Sequence, residues 1–317
     1  MKQVVIILAF LGGLSGSLLQ AQSTDLTSFD GVTDLVFEGQ IGDIVVHPAP
    51  AERVMIKFMA GEEAARVPAK QEGGRLIIKE VVNDAITSQE GGAKVTSYPT
   101  SYQWDMYVPK GVSVQLTTAT GSIRVLGGQG KMEATTATGA ISVKDYQGKI
   151  FAKSSTGALS LDQVEGQCSI SGGTGSIALA GGSGSWEVES GTGHIEAEAL
   201  RLTGASSFRS GTGNVNLNVV NPGAENMDIH SGTGLAMLSL EGQKLTGTLV
   251  MGYAESKERG KVYKGKIRSP FQLEPAGEEK IAVGRNTQTN FLEQIELDGS
   301  KTQTKITTGL GKAQLKS

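Results

Sequence analysis

A five-residue motif recurs along the middle of the chain, as ATGSI (residues 119–123), ATGAI (137–141), STGAL (155–159), GTGSI (173–177) and GTGHI (191–195). These copies follow one another at intervals of 18 residues. Two looser copies begin at Gly211 and Gly232, and a late, isolated return begins at Thr308. Constant spacing of this kind is typical of repeat proteins, in which each repeat stacks on its neighbours.

Each repeat has two corners and two short strands. A second glycine series keeps the same step half a repeat away, at Gly130, Gly148, Gly166 and Gly184. Apolar residues alternate with other residues in both strands, as in a strand with one buried face. After the Thr-Gly corner the inward residues are Ile123, Val125, Ile141, Val143, Leu159, Leu161, Ile177, Leu179, Ile195, Ala197, Val215 and Leu217. After the other corner they are Met132, Ala134, Ile150, Ala152, Cys168, Ile170, Trp186, Val188, Ser206, Phe208, Met227 and Ile229.

This pattern predicts an all-β fold. A strand of four or five residues cannot bury its apolar face alone, but identical coils stacked about 4.8 Å apart share one core. We therefore predict a single-stranded β-solenoid (β-helix) with coils of roughly 18 residues and β-rich caps at both ends. We expect the corner glycines to adopt positive φ, and the threonines from Thr120 to Thr233 to pair their hydroxyls between coils.

The chain divides into four segments. Residues 1–21 have Lys2, an apolar run and a small residue at Ala21, which is the pattern of a signal peptide. Residues 22–110 are predicted to form an N-terminal β-rich cap and the entry to the solenoid. Regular coils follow at 111–242, and irregular β-rich coils with a second cap at 243–317. We expect an exported protein that is periplasmic, on the outer surface or secreted, and retention of the leader as an anchor is the alternative.

Three sequence features resemble the bacterial putative adhesin family, a Gly-rich β-solenoid domain of unknown function. They are QIGDIVV at residues 40–46, YVPKG at 107–111 and the Thr-Gly repeats, and the resemblance spans residues 29–234. It implies an extracytoplasmic β-solenoid with adhesion as the expected role and no catalytic residues to carry over. The segment from Leu245 to Thr302 departs from the simple repeat.

Composition excludes several classes. Cys168 is the single cysteine, so the chain is neither a disulfide scaffold nor a Cys-based zinc protein. A net charge of -3 does not favour nucleic-acid binding. The histidines His47, His194 and His230 lack metal-ligand spacing, and the glycine-rich repeats lack the helix that a dinucleotide-binding motif needs. We therefore predict no catalytic, cofactor or metal site, and Cys168 is interpreted as a buried small hydrophobe.

A possible ligand-binding face is the remaining hypothesis. The coils from Gly157 to Leu200 carry six carboxylates and no Lys or Arg. The candidate residues are Glu187, Glu189, Glu196, Glu198, Arg209, Asp228 and His230. The alternative interpretation is a solvated ladder in which Glu189, Arg209 and His230 offset one another across coils.

Three functions remain open for such a chain. The first is a non-enzymatic, adhesin-like binding module for a cell-surface or envelope component, either protein or glycan. The second is a β-helix carbohydrate-active enzyme, a glycan hydrolase or lyase, because carboxylates two residues apart on a strand are roughly 7 Å apart. The third is a structural envelope component, with end-to-end self-association.

Overall fold

The computed structural model describes residues 26–60, 63–65, 67–80, 86–90, 93–97, 102–258, 261–283 and 286–317. The signal peptide predicted at residues 1–21 lies outside the described residues. Within them the chain forms strands and turns and no helix, so no described helix could span a membrane. The predicted all-β fold is confirmed.

The described strands fall into three groups along the chain. The first group is β1 (Thr27–Asp30), β2 (Asp34–Glu38), β3 (Asp43–Pro48), β4 (Arg53–Ala60), β5 (Glu63–Ala65), β6 (Ala69–Glu72), β7 (Arg75–Lys79), β8 (Ile86–Glu90), β9 (Ala93–Ser97) and β10 (Tyr102–Val108). The second is β11 (Ser113–Thr120), β12 (Ile123–Val125), β13 (Gly128–Thr138), β14 (Ile141–Lys144), β15 (Tyr146–Thr156), β16 (Leu159–Asp162), β17 (Glu165–Gly172), β18 (Ile177–Ala180), β19 (Ser183–Ser190), β20 (Ile195–Leu202), β21 (Ser206–Ser210), β22 (Val215–Val219), β23 (Met227–Ser231) and β24 (Leu235–Ser239). The third is β25 (Thr248–Glu258), β26 (Lys261–Lys264), β27 (Lys266–Arg268), β28 (Glu274–Val283), β29 (Asn286–Glu296), β30 (Gln303–Thr308) and β31 (Lys312–Lys316).

The second group builds two parallel walls. Wall A contains β12, β14, β16, β18, β20, β22 and β24, and wall B contains β11, β13, β15, β17, β19, β21 and β23. Each strand pairs with the strand one coil further along. Ile141 lies opposite Leu159 in wall A, and Ile150 lies opposite Cys168 in wall B. This in-register stacking confirms the solenoid and its repeat.

The core lies between the two walls and has the composition that the alternation predicts. The inward apolar residues of both series are buried, with Ile177 and Trp186 each 1% exposed. Their neighbours in sequence, such as Ser176 and Glu187, are exposed. Each coil therefore shares its buried surface with the coils above and below, which stabilises strands too short to be stable alone.

Hydroxyl groups link the coils at the Thr-Gly corners, but they are not the hydroxyls that the sequence predicts. The corner threonines are exposed, and no described hydrogen bond joins their hydroxyls; they are Thr120, Thr138, Thr156, Thr174, Thr192, Thr212 and Thr233. The linking groups lie two positions earlier: the hydroxyl of Thr136 donates to Gly121 O at 3.1 Å and that of Ser154 to Gly139 O at 2.9 Å. The prediction of a threonine ladder was wrong. The corner threonine points outward, whereas the residue two positions earlier points inward and its hydroxyl reaches a carbonyl oxygen of the preceding coil.

The ends of the solenoid are built from strands out of chain order. β2 and β3 form a coil that stacks on β11 and β12, and β7 and β10 pair with its other side. At the opposite end β30 and β31 stack on β23 and β24, while β25 and β27 lie beyond them. The late motif at Thr308–Gly311 is a coil corner, since Gly309 N–H donates to Ser231 O at 2.9 Å.

One segment of the N-terminal region differs from its predicted form. Residues 83–97 are polar and Gly-rich, and the sequence favours a loop. Within the described part of this segment, β8 and β9 form an antiparallel pair in which Ile86 lies opposite Ser97.

Glu80 stabilises the corner of the N-terminal coil by accepting three hydrogen bonds. Its side chain is 5% exposed, and Oε1 accepts the Trp104 indole N–H at 2.9 Å. Oε2 accepts the backbone N–H groups of Gln40 at 2.6 Å and Ile41 at 2.8 Å. One carboxyl group therefore satisfies three donors at the corner between β2 and β3.

Replacing Glu80 should destabilise this end of the protein. We expect Glu80→Ala to lower the free energy of unfolding by about 3 kcal/mol, because buried donors lose their acceptor. Glu38→Ala is the matched control, since Glu38 is exposed and pairs with Lys79 at 2.8 Å. Such a surface pair contributes less than about 1 kcal/mol. Chemical denaturation measures both, and similar losses in the two variants would contradict a fastening role for Glu80.

Candidate ligand-binding face

The outer face of wall B contains a trough that crosses four successive coils. Its outward lining residues are Lys149 and Phe151 from β15, Gln167 and Ser169 from β17, Ser185 and Glu187 from β19, and Ala205 and Ser207 at β21. The small side chains of Ser169, Ser185 and Ser207 form its floor, and Lys153 and Glu189 lie beside it on β15 and β19. The result is an open concavity of about 480 Å³.

The residues of the trough form two rows across the coils. In one row Lys149, Gln167 and Ser185 lie opposite one another. In the other row the order is Phe151, Ser169, Glu187 and Ser207. Rows arise because the register is constant, so each outward position repeats one coil further along.

The charges on the two sides of the trough are not neutralised within the protein. Among the described residues, Lys149 and Lys153 make no ion pair, and neither do Glu187 and Glu189 across the trough. All four side chains are exposed. The trough therefore has a basic side with an aromatic ring and an acidic side, both available to a ligand.

The seven candidate residues divide between the two walls. Glu187, Glu189, Arg209, Asp228 and His230 lie on the outward face of wall B, as the alternation predicts. Glu196 and Glu198 lie on the outward face of wall A. The Thr-Gly corner after Ser190 turns the chain from one wall to the other. The four glutamates consequently do not form one patch on a single face.

The basic and acidic residues beyond the trough lie in one row. The register places Glu189, Arg209 and His230 opposite one another, as in the ladder interpretation. The Arg209 guanidinium also pairs with Asp228 and donates through Nε to the Ser207 hydroxyl at 2.9 Å. The His230 Nδ1 is 2.8 Å from the Thr307 hydroxyl. Asp228 and Thr307 hold these side chains against the wall.

The other chemical candidates have structural explanations. Cys168 is buried, and burial raises the pKa of its thiol to about 12, so it is held as the neutral thiol. His47 stacks on Tyr107 with ring centroids 4.9 Å apart. The described residues contain no group of three or more His, Cys, Asp or Glu that could hold a metal ion.

Comparison with known proteins assigns the fold to a family. The family described as Toastrack DUF4097 matches residues 32–244, and the chain belongs to that family. The resemblance to Gly-rich β-solenoid domains of unknown function is thereby confirmed. No curated protein matches the chain.

One solved structure is similar in part. It is a protein from Clostridium sporogenes ATCC 15579 described as a "putative cell adhesion protein". The alignment has 11% sequence identity and a TM-score of 0.19, and covers 92% of this chain and 97% of that chain. A match with this TM-score supports no inference about function.

Proposed function

We propose that the protein is an exported, non-enzymatic, adhesin-like module that binds a cell-surface or envelope component through the outer face of wall B. The observation that carries this proposal is the trough across wall B, where unpaired charged side chains and Phe151 lie beside an open floor. The stacked coils fix the main chain from which these side chains project, so binding requires little ordering of the main chain. The leader pattern at residues 1–21 supports export.

The exposure of the carboxyl groups favours binding over catalysis. A glycan hydrolase needs one carboxyl group that burial keeps protonated beside a second that stays ionised. Glu187 and Glu189 are both exposed on one strand, and the trough is open to solvent. An open site of this kind does not exclude water from a reacting bond.

The division of the four glutamates between two walls provides the test. Glu187→Gln with Glu189→Gln removes two charges from wall B, and Glu196→Gln with Glu198→Gln removes two from wall A. We expect the wall B pair to lower retention on isolated bacterial envelopes by about tenfold, because charge-assisted hydrogen bonds to the ligand are lost. The quantity to measure is the bound fraction of the mature chain after sedimentation.

The wall A pair is the matched control and should retain parental binding, within about twofold. Both double variants should unfold like the parent, because exposed carboxylates contribute little stability. Equal retention by the two variants would contradict the use of wall B. A loss confined to the wall A pair would move the binding surface to the opposite face.

A further inference from the structure

The trough extends across the coils rather than along one strand. Its lining residues come from β15, β17, β19 and residues 205–207, so it covers three steps between neighbouring strands, or about 14 Å. A ligand that follows the trough would cross these strands and contact both rows of outward residues.

The floor offers uncharged hydrogen-bonding groups that the protein leaves unused. Gln167, Ser169 and Ser185 make no side-chain hydrogen bond within the described part of the chain. Hydroxyl groups both donate and accept, and the Gln167 amide presents two donors and one acceptor atom. These groups match a ligand that itself carries many hydroxyl groups.

Phe151 adds an apolar surface beside these polar groups. It faces outward from β15 and is half-buried, so part of its ring is open to a ligand. Glu187 lies two coils away in the same row, with Ser169 between them. A pyranose ring has an apolar C–H face and a rim of hydroxyl groups, and this row provides an aromatic face, a hydroxyl group and a carboxylate acceptor on successive coils.

The balance of charge argues against a phosphate or another anion. Among the residues that line the trough, Lys149 is matched by Glu187, and these are its two charged residues. Lys153 and Glu189 beside the trough add one further charge of each sign. The electrostatic potentials of the opposite charges largely cancel for a ligand that lies between them. A neutral ligand is therefore favoured over a strongly charged one.

We propose that the trough across β15, β17 and β19 binds a neutral oligosaccharide chain. One pyranose ring stacks on Phe151, and neighbouring hydroxyl groups bond to Gln167, Ser169 and Glu187. This assignment rests on the proposed binding function and adds the chemical class of the ligand.

Titration of the mature chain with neutral tetrasaccharides tests the assignment. The probes are cellotetraose, maltotetraose and fully N-acetylated chitotetraose, each followed by NMR chemical-shift changes up to about 10 mM, a range that covers weak affinities. We expect at least one to shift amide signals of β15, β17 and β19. Affinity should change less than about twofold between low and high salt, because the ligand is uncharged.

Variants at Phe151 separate stacking from a general effect on the fold. Phe151→Ala should weaken binding by about tenfold, whereas Phe151→Trp keeps an aromatic face and should retain it. Tyr107→Ala is the control, since Tyr107 is also an outward, half-buried aromatic residue but belongs to β10 at the N-terminal end. Thermal unfolding of each variant shows whether the fold is kept, and Phe151→Leu replaces Phe151→Ala if that variant does not fold.

The outcomes distinguish this proposal from the proposed function. If no tetrasaccharide shifts the trough signals, the oligosaccharide assignment is overturned. Envelope retention that still depends on Glu187 and Glu189 would then keep the binding function. If a mixture of extended octapeptides binds instead, with Phe151 dependence, the ligand is a polypeptide and the assignment is also overturned.

Discussion

Gly193→Ala is expected to lower the free energy of unfolding by about 3 kcal/mol or more, because the added methyl group has no space. A Cβ atom at this position would lie 1.9 Å from Gly175 O, the backbone of the preceding coil. A backbone atom cannot rotate away as a flexible side chain can. The coils on both sides of the corner would have to separate, with loss of their hydrogen bonds.

A substitution at a second glycine distinguishes the effect of close contact between coils from the effect of backbone conformation. Gly193 lies outside the left-handed region, whereas Gly242 has φ of +81° and nothing within 4 Å of its Cβ position. Gly242→Ala should therefore cost only the conformational strain of about 1 to 2 kcal/mol. Chemical denaturation of both variants decides between the causes. A larger loss for Gly242→Ala would show that positive φ, not close approach of the coils, fixes these corners.

The repeat itself is predictable because it follows from spacing and alternation alone. The 18-residue step places Ile141 opposite Leu159, and the alternation places both of them inward. The reason for the corner glycines was only partly predictable. Some have positive φ, such as Gly139 at +156°, but Gly193 is required by contact between coils, which a single repeat does not reveal.

The buried hydroxyl groups and the end coils depend on contacts between neighbouring coils, so the hydrophobic pattern within one repeat does not predict them. The buried hydroxyls of Thr136 and Ser154 have inward parity, but they are polar residues and so gave no hydrophobic signal. The end coils are separated in sequence from the coils on which they stack. Only the motif at Thr308–Gly311 indicated that the chain returns to the stack after residue 302.

The candidate face was predictable in its rows but not in its contacts. Alternation correctly placed Glu187, Glu189 and Arg209 on one outward face. The register places several polar side chains next to Arg209. The sequence alone does not decide that its guanidinium pairs with Asp228. The trough was missed because its signal is a set of small outward residues on three successive coils, Ser169, Ser185 and Ser207, which a single repeat does not reveal.

Ile177→Asp is expected to lower the free energy of unfolding by more than about 4 kcal/mol, because it places a carboxyl group in the apolar core without a partner. Ile177 is 1% exposed and lies between Leu159 and Ile195 in wall A. It also fills the space beside Gly172, which has no side chain where other coils carry a hydroxyl residue. The coil would lose packing with both neighbours.

Ser176→Asp is the matched control for this substitution. Ser176 is the preceding residue and is exposed, so the new carboxylate would remain in water and change stability by about 0.5 kcal/mol or less. Ile177→Ala should fall between the two, at about 2 to 4 kcal/mol, and keeps the test informative if the aspartate variant does not fold. Equal losses at positions 176 and 177 would mean that wall A does not bury alternate residues, and the shared core between the walls would be refuted.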